Sequence, residues 1–333
     1  MTRRIAFVTG GAGFIGSNIV ARLAADSRFD VVVCDWLGDA GQAKWRNIAK
    51  HPISDLVTPE AAFDWLARHW RDVELVVHMG AISSTTEPDV ERILRNNFTL
   101  SRDLFRWCAD YGRRLIYASS AATYGDGALG FDDDNSCEAL AALRPLNPYG
   151  WSKALFDLYA AREAGAGRAP SQWAGLKFFN IYGPNEDHKG PMKSVAAQIW
   201  PAVADGRPVR LFKSHRPEYA DGGQLRDFVY VRDAVDVVVW LVDRPDVSGL
   251  FNLGTGAART FRELAEAVFA AADHTPRIDY FDMPLELRDR YQYRTEAKME
   301  RLRAAGYDGP LTPLEAGIAD YVRGFLSLPD PYR

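Results

Sequence analysis

Thr9-Gly10-Gly11-Ala12-Gly13-Phe14-Ile15-Gly16 is the stretch on which the reading of this chain turns. It follows an apolar run, Ile5–Val8, and opens a helix-like stretch, Ser17–Ala25. Glycine at Gly10 permits a tight turn, Gly13 lets the backbone approach a pyrophosphate, and Gly16 lets helix and strand pack closely. The first-turn N–H groups and the helix dipole then face the anion. A glycine triplet alone is weak, because glycine-rich turns are common. Here strand, helix and a distal acid agree. The acid is Asp35, which stands 19 residues after Gly16 at the end of the second apolar run. Its carboxylate suits a ribose hydroxyl and repels a 2′-phosphate, which favours NAD. Lys44, nine residues further on, brings the opposite charge and keeps NADP open. Without that context Asp35 would be a turn residue and Lys44, with Arg46, a solvated basic face.

Outward from this motif the first half alternates. Ile5–Val8, Val31–Cys34, Leu75–His78, Arg114–Ala118 and Leu176–Phe179 predict buried strands, being β-branched or aromatic and bounded by polar or glycine-rich segments. Ser17–Ala25, Pro59–Trp70, Val90–Tyr111 and Tyr149–Ala164 predict helices between them. Strands separated by helices give βαβ units with right-handed crossovers. The fold class expected is therefore α/β, a Rossmann-type doubly wound parallel sheet with a smaller mixed α/β substrate-binding domain. In the second half Pro184–Gly190 and His215–Leu225 predict polar loops, with a helix at Val195–Asp205 between them. Asp227–Val231 and Leu250–Leu253 predict strands, and Ala234–Val242, Thr260–Ala272 and Pro313–Leu326 predict helices. The texture changes near residue 180 without a flexible linker. That predicts interleaved domains: 1–180 with about 227–253 for the dinucleotide, and about 181–226 with 254–333 for substrate.

Composition narrows the classes. Of 333 residues 47% are apolar and 25% charged, with a net charge of −4. A disordered chain would be apolar-poor and highly charged, and a nucleic-acid reader would carry a basic excess. The three cysteines, Cys34, Cys108 and Cys137, lie far apart and odd in number, which fits a reducing cytoplasm. None of the six histidines falls in HExxH or HxxxH spacing, so no metal site is expected. The longest apolar run, Val237–Val242, has six residues, against the ~20 that span a bilayer. The N-terminal apolar run stops at Gly10-Gly11, too short for a secretory leader. A cytoplasmic protein is expected.

Tyr149-Gly150-Trp151-Ser152-Lys153 places Tyr and Lys at i and i+4, on one face of a helix. A free phenol has a pKa of about 10, and a neighbouring ammonium lowers it. Tyr149 is thus a candidate base, with Lys153 its activator and a ribose contact. The pattern alone occurs often by chance; downstream of a dinucleotide fingerprint it is specific. Ser119-Ser120 follows the fourth predicted strand, at the end where such sheets place their ligand crevice. Ser120 is assigned to the substrate oxygen beside Tyr149, and Ser119 to structure; a cap or turn is the bland alternative for both.

Together these elements resemble the extended short-chain dehydrogenase/reductase superfamily over essentially the whole chain. Within it, Gly10–Val20, Ser83–Glu87, Tyr117–Gly125, Asn147–Lys153, Phe178–Pro184 and His188–Gly190 resemble the ADP-glyceromanno-heptose 6-epimerase family. Arg226–Asp233, Phe251–Gly256 and Leu302–Pro310 continue the likeness. The resemblance implies an isomerase acting on a nucleotide sugar. The family moves hydride from C6 of the heptose to a tightly held NADP, and back to the other face of a transient 6-ketone. One base serves each orientation of the sugar: Tyr149 matches one, and Lys189 in His188-Lys189-Gly190 matches the other. Without the resemblance Lys189 would be a solvated loop lysine.

On the cofactor side the resemblance adds Phe14, Ile15, Trp36, Met79, Gly80, Ala81, Ile82, Ser83, Asn96 and Ile181. On the substrate side it adds Ser84, Asn180, Phe212, Arg226 and Tyr291. The Arg226 guanidinium suits a diphosphate bidentately; a salt bridge to Asp227 or Asp233 is its competing reading. The chain departs from the family at Trp36, Pro191, Gln198 and in the longer charged segment Lys213–Leu225. The resemblance further implies a homo-oligomer, with a pentameric ring expected, and a place in lipopolysaccharide core assembly. Two other functions compete. A UDP-hexose 4-epimerase or a dehydratase would share the Tyr/Lys pair but lack His188–Gly190, and a dehydratase would want an acid where Ala121-Ala122 stands. A non-catalytic dinucleotide sensor would have lost Tyr149 or Lys153.

Overall fold

The computed structural model describes residues 4–39, 41, 43–288 and 291–333, and no side chain at 286 or 287. Its centre is a seven-stranded sheet. The strands are β1 (Arg4–Thr9), β2 (Phe29–Cys34), β3 (Asp55–Val57), β4 (Val73–His78), β5 (Arg114–Ser120), β6 (Gln172–Phe178) and a last strand, Gly249–Leu253. From that last strand the order runs β6, β5, β4, β1, β2, β3, and every pairing is parallel. This is the doubly wound order, with its topological switch between β1 and β4. Strands buried on both faces should be apolar throughout. Accordingly Ala6 and Val8 pack into the core on one face of the sheet, and Phe7 between them packs into the core on the other.

Several elements differ from the sequence prediction. The strand predicted at Leu176–Phe179 begins at Gln172. The polar Gln172 masked that start, yet it is buried and donates to the carbonyls of Leu241, Arg244 and Val247. The edge strand β3 was not predicted, being three residues long and half exposed. The helix predicted as continuous over Val90–Tyr111 is α-helical at Val90–Ile93 and Leu100–Asp110, with a π-helical segment at Leu94–Thr99 between. An inserted residue of this kind turns one side chain inward. Here Asn97 is fully buried; its amide donates to Ile82 O and Ser152 Oγ while its carbonyl accepts from Ile82 N.

The chain leaves the sheet after Phe178. The strand predicted at Asp227–Val231 forms as Phe228–Tyr230 and pairs with Asn180–Tyr182, outside the main sheet. A second parallel pair, Val209–Phe212 with Ile278–Phe281, was not foreseen. These segments, with helices Val195–Ala204, Phe261–Ala271 and Leu314–Tyr321, close around a third core. Within Pro184–Gly190, predicted as loop, a tight 3-10 turn starts at Asp187 and runs to Met192. Among the described residues no helix is long and apolar enough to cross a membrane, and no cluster of metal-ligating side chains forms.

One buried group ties the sheet to the following helix. His78 ends β4, fully buried, with Nδ1 2.6 Å from Thr9 Oγ1 and Nε2 2.8 Å from Ser101 Oγ. Ser101 donates its hydroxyl to Asn97 O, so it accepts from Nε2–H, and Nδ1 accepts from Thr9. The ring is neutral, and burial pushes its pKa from 6.5 down to about 3. The unfolded chain takes up this proton below about pH 6.5. The group's contribution to stability is therefore complete above 6.5 and is lost as pH falls toward 3. Between pH 7 and 4.5 that loss is about 2–3 kcal/mol. Urea unfolding at the two pH values should show His78→Gln losing less than the parent by that amount; equal losses would rule the assignment out.

Candidate active site

A cleft of about 680 Å³ opens at the C-terminal ends of β1, β4 and β5, where doubly wound sheets bind their ligands. It brings together almost every residue predicted for the site. Gly10, Gly13, Phe14, Ile15, Gly16, Asp35, Trp36, Lys44, Met79, Gly80, Ala81, Ile82, Ser83, Asn96 and Ile181 line it. So do Ser84, Ser120, Tyr149, Lys153, Asn180 and Lys189.

The glycine fingerprint forms one wall. Gly10 has φ +64°, and a Cβ there would stand 2.5 Å from Gly80 N. A Cβ on Gly16 would fall 2.1 Å from Gly10 O. Backbone thus packs on backbone, as the turn requires. Gly13 is the N-cap of helix Phe14–Ala24, and no side chain caps that end. The first bond back along the helix is Ser17 N to Gly13 O, at 2.9 Å. The N–H groups of Phe14, Ile15 and Gly16 thus have no intrahelical acceptor. An uncapped helix start behind a side-chain-free turn fits a dinucleotide diphosphate. At the far end Asp35 Oδ2 accepts from Ala12 N at 2.9 Å, and Oδ1 meets Lys44 Nζ at 2.6 Å. Lys44 also donates to Trp36 O, while the Trp36 indole N–H is held by Glu60.

The opposite wall is the helix Pro148–Gly165. Asn147 caps it through Gly150 N, and Pro148 supplies its first turn. Tyr149 and Lys153 then share a face toward the end of β5. Lys153 is 3% exposed and donates to Ala118 O at 2.8 Å. Burial lowers its pKa to about 8, against the pull of Asp157. Burial raises the Tyr149 phenol, while a hydrogen bond from Ser120 lowers it. Ser120 has two duties: it also accepts from Ala122 N and caps the short turn Ala121–Tyr124. Ser119 does not compete for the site, because its hydroxyl is given to Asp157.

Lys189 reaches the same cleft from the turn Asp187–Met192. Its ammonium lies 5.3 Å from the centroid of the Phe14 ring, an attraction worth about 0.5–1 kcal/mol. Burial lowers its pKa, and Glu186 opposes that shift. Glu186 accepts from Ser194 N, Ser194 Oγ and Tyr321 OH, which anchors the turn to the helix behind it.

Three predicted substrate residues, Phe212, Arg226 and Tyr291, do not reach the cleft wall. They cluster behind Phe261, which does line it. The Arg226 guanidinium lies 5.0 Å from the Tyr291 ring and 5.6 Å from Phe261, with Phe212 edge-on to Tyr291. Among the described residues it forms no salt bridge to Asp227 or Asp233. Asp227 accepts from Thr255, Gly256 and Ala297, and Asp233 from Thr312. Arg226 donates only to Leu225 O among the described hydrogen bonds.

Some cleft residues were not predicted. His188 lines it with Nδ1 3.2 Å from Asn47 Nδ2, and burial lowers its pKa to about 4. Neither that contact nor the inward turn of Asn97 leaves a spacing signal, since both arise where distant segments meet.

The sequence model of the NAD dependent epimerase/dehydratase family matches residues 6–254. The chain belongs to that family. Its similarity extends over nearly its full length to a protein of Nitratidesulfovibrio vulgaris (strain DP4) named ADP-L-glycero-D-manno-heptose-6-epimerase, at 49% identity over 98% of this chain and 99% of the relative. The Helicobacter pylori ADP-L-glycero-D-manno-heptose-6-epimerase structure superposes with a TM-score of 0.77 at 25% identity, covering 97% of this chain and 96% of that one. The Thermus thermophilus UDP-glucose 4-epimerase, in complex with NAD, has a TM-score of 0.73 at 28% identity, over 96% and 99%.

Proposed function

We propose that this chain inverts C6 of ADP-D-glycero-D-manno-heptose to give the L-glycero epimer through a transient 6-ketone. The observation that carries the reading is the presence of two protonatable groups, Tyr149 and Lys189, on different walls of one cleft beside a dinucleotide cradle. The fingerprint Gly10–Gly16, Asp35 and Lys44 would hold a nicotinamide dinucleotide, which when bound supplies reversible hydride acceptance. Tyr149, with Ser120 donating to its oxygen, exchanges a proton with the C6 oxygen in one orientation of the sugar. Lys153 keeps a positive charge one helical turn away, which favours the phenolate. Lys189 serves the other orientation. A single base cannot face both positions of a rotated C6 oxygen, so the second group is required. Asn180 and Ser84, which line the cleft, are assigned to the sugar nucleotide, and Arg226, which does not line it, to bracing Phe261 and Tyr291 behind the wall. We assign residues 1–180 with about 227–253 to the dinucleotide and the rest to the sugar nucleotide. Incubation with the D-glycero substrate should yield the L-glycero epimer with no net redox change. No conversion at high enzyme concentration, with turnover of UDP-hexoses instead, would replace this reading with a 4-epimerase.

The cofactor is proposed to be NADP, with NAD accepted. Lys44 already sits on Asp35, so the carboxylate's repulsion of a 2′-phosphate is offset where it matters. Lys44→Ala should weaken NADP binding about tenfold, one charged hydrogen bond's worth, and leave NAD binding equal or tighter. Fluorescence titration of protein stripped of nucleotide checks this; equal losses for both dinucleotides would remove Lys44 from the 2′-phosphate.

A further inference from the structure

Beneath the proposed catalytic set lies a buried ion pair that the mechanism above does not use. Asp157 and Lys177 are 0% and 1% exposed, and Lys177 Nζ stands 2.7 Å from Asp157 Oδ2. Asp157 follows Lys153 by four residues and Tyr149 by eight on the helix Pro148–Gly165, so the three side chains share one face. Lys177 is on β6, paired in register with Ser119 of β5.

Both partners grip the end of β5. Asp157 accepts from Ser119 Oγ at 2.7 Å and from Tyr117 OH at 3.1 Å. Lys177 donates to Thr123 Oγ1 at 2.8 Å, and Thr123 in turn donates to Ser120 O at 2.8 Å. The Lys177 ammonium also faces the Tyr124 ring at 4.9 Å. The backbone of Ser120 is thereby fixed from below on both sides.

Stability alone is a weak account of such a pair. Desolvating two charges costs as much as their attraction returns, and an apolar pair of equal volume often serves as well. Its place supplies a better reason. Asp157 is the one carboxylate acting on Tyr149 or Lys153 among the described residues. From the other elements, β4 presents His78, which is neutral, and the end of β5 with its turn presents Tyr117 and Tyr124, whose phenols burial keeps protonated. Lys189 stands across the cleft. Unbalanced, the Asp157 charge would hold a proton on Tyr149.

We propose that the Asp157–Lys177 pair is the positioning and charge-balancing element of the Ser120–Tyr149–Lys153 set. This rests on reading Tyr149 as the acid–base group. Asp157 and Lys177 are positioning residues: they act through Ser119, Thr123 and the local field and face no substrate.

The test titrates the Tyr149 phenol by NMR in protein labelled with ¹³C at tyrosine Cζ, assigned by its loss in Tyr149→Phe. Eight residues of helix are about 12 Å. A unit charge at that distance, at an effective dielectric of about 20, moves a titration by about one pH unit. Lys177→Gln keeps hydrogen-bonding capacity but leaves Asp157 unbalanced, and should move the Tyr149 titration up by about that amount. Asp157→Asn leaves Lys177 unbalanced and should move it down. One folded single variant decides, because each has its own sign; no shift, or a shift in the wrong direction, overturns the proposal. If neither folds, Thr123→Val breaks only the Lys177–Thr123–Ser120 chain. It should lower kcat at unchanged KM with the Tyr149 titration in place, and an unaltered kcat overturns the proposal. Opposed NMR shifts in a chain that converts no ADP-heptose would sustain this inference and sink the substrate reading.

Discussion

Tyr149→Phe should lower epimerisation by about 10³-fold, within the 10²–10⁴ that a positioned acid–base group contributes, with KM for the sugar nucleotide little changed. The substitution removes one oxygen and leaves the ring in place. The phenol's only described side-chain partner is Ser120, and the helix carrying it is capped independently by Asn147. Folding and dinucleotide binding should therefore survive, checked by co-purifying nucleotide and by thermal unfolding. The loss belongs in kcat because proton exchange at C6 occurs in the reaction and not in binding. A Tyr149→Phe protein with more than a tenth of parental kcat would show that another group moves this proton. The pH profile adds a sign: burial raises the phenol while Ser120 lowers it, so the parent's activity should rise with pH as phenolate forms. In Tyr149→Phe that limb should be gone.

The parts of this site that could be read from the chain are those whose chemistry is local. The turn Gly10–Gly16 and the pair Tyr149/Lys153 carry their geometry in fixed spacings along one helix start or one helix face. The strands β1, β2, β4 and β5 could be placed because strands buried on both faces must be apolar without interruption. Where a buried polar side chain is satisfied by distant backbone, the same rule misleads. Gln172 hid the start of β6, and Asn97 hid the π-helical segment in a helix that looked regular. Lys189 was legible only through the family's His188-Lys189-Gly190 pattern, since nothing in a Gly/Pro-containing loop predicts that its lysine packs against Phe14. Arg226 shows the opposite gap. Its residue type suits a diphosphate, but its seat between Tyr291 and Phe261, behind the cleft wall, depends on segments 35 and 65 residues further along the chain. The Asp157–Lys177 pair left no signal, because a helix and a strand 20 residues apart must first fold together.

Lys189→Met should cut epimerisation by about 10²–10⁴-fold as well, and here the direction of the residual chemistry is the sharper result. Methionine keeps an unbranched apolar stem against Phe14 and removes the ammonium. The cost to stability is then about one cation–π contact, near 1 kcal/mol, too little to unfold the domain. If Tyr149 and Lys189 serve opposite orientations of the C6 oxygen, each single variant keeps one competent base. Mixed with the D-glycero and L-glycero epimers separately, Lys189→Met should form 6-ketone from one of them and Tyr149→Phe from the other. Neither should complete the inversion, because the returning step needs the missing group. Burial lowers the Lys189 pKa and Glu186 opposes it, so removing that opposition also has a predicted sign. Glu186→Gln keeps one acceptor oxygen, for Ser194 N–H, and puts an NH2 donor where the Ser194 and Tyr321 hydroxyls can turn to accept, while lowering the Lys189 pKa further. The limb of the pH profile that Lys189 controls should therefore move to lower pH. A Lys189→Met protein that still interconverts the two epimers at the parental rate would leave Tyr149 as the sole base and refute the two-base cleft.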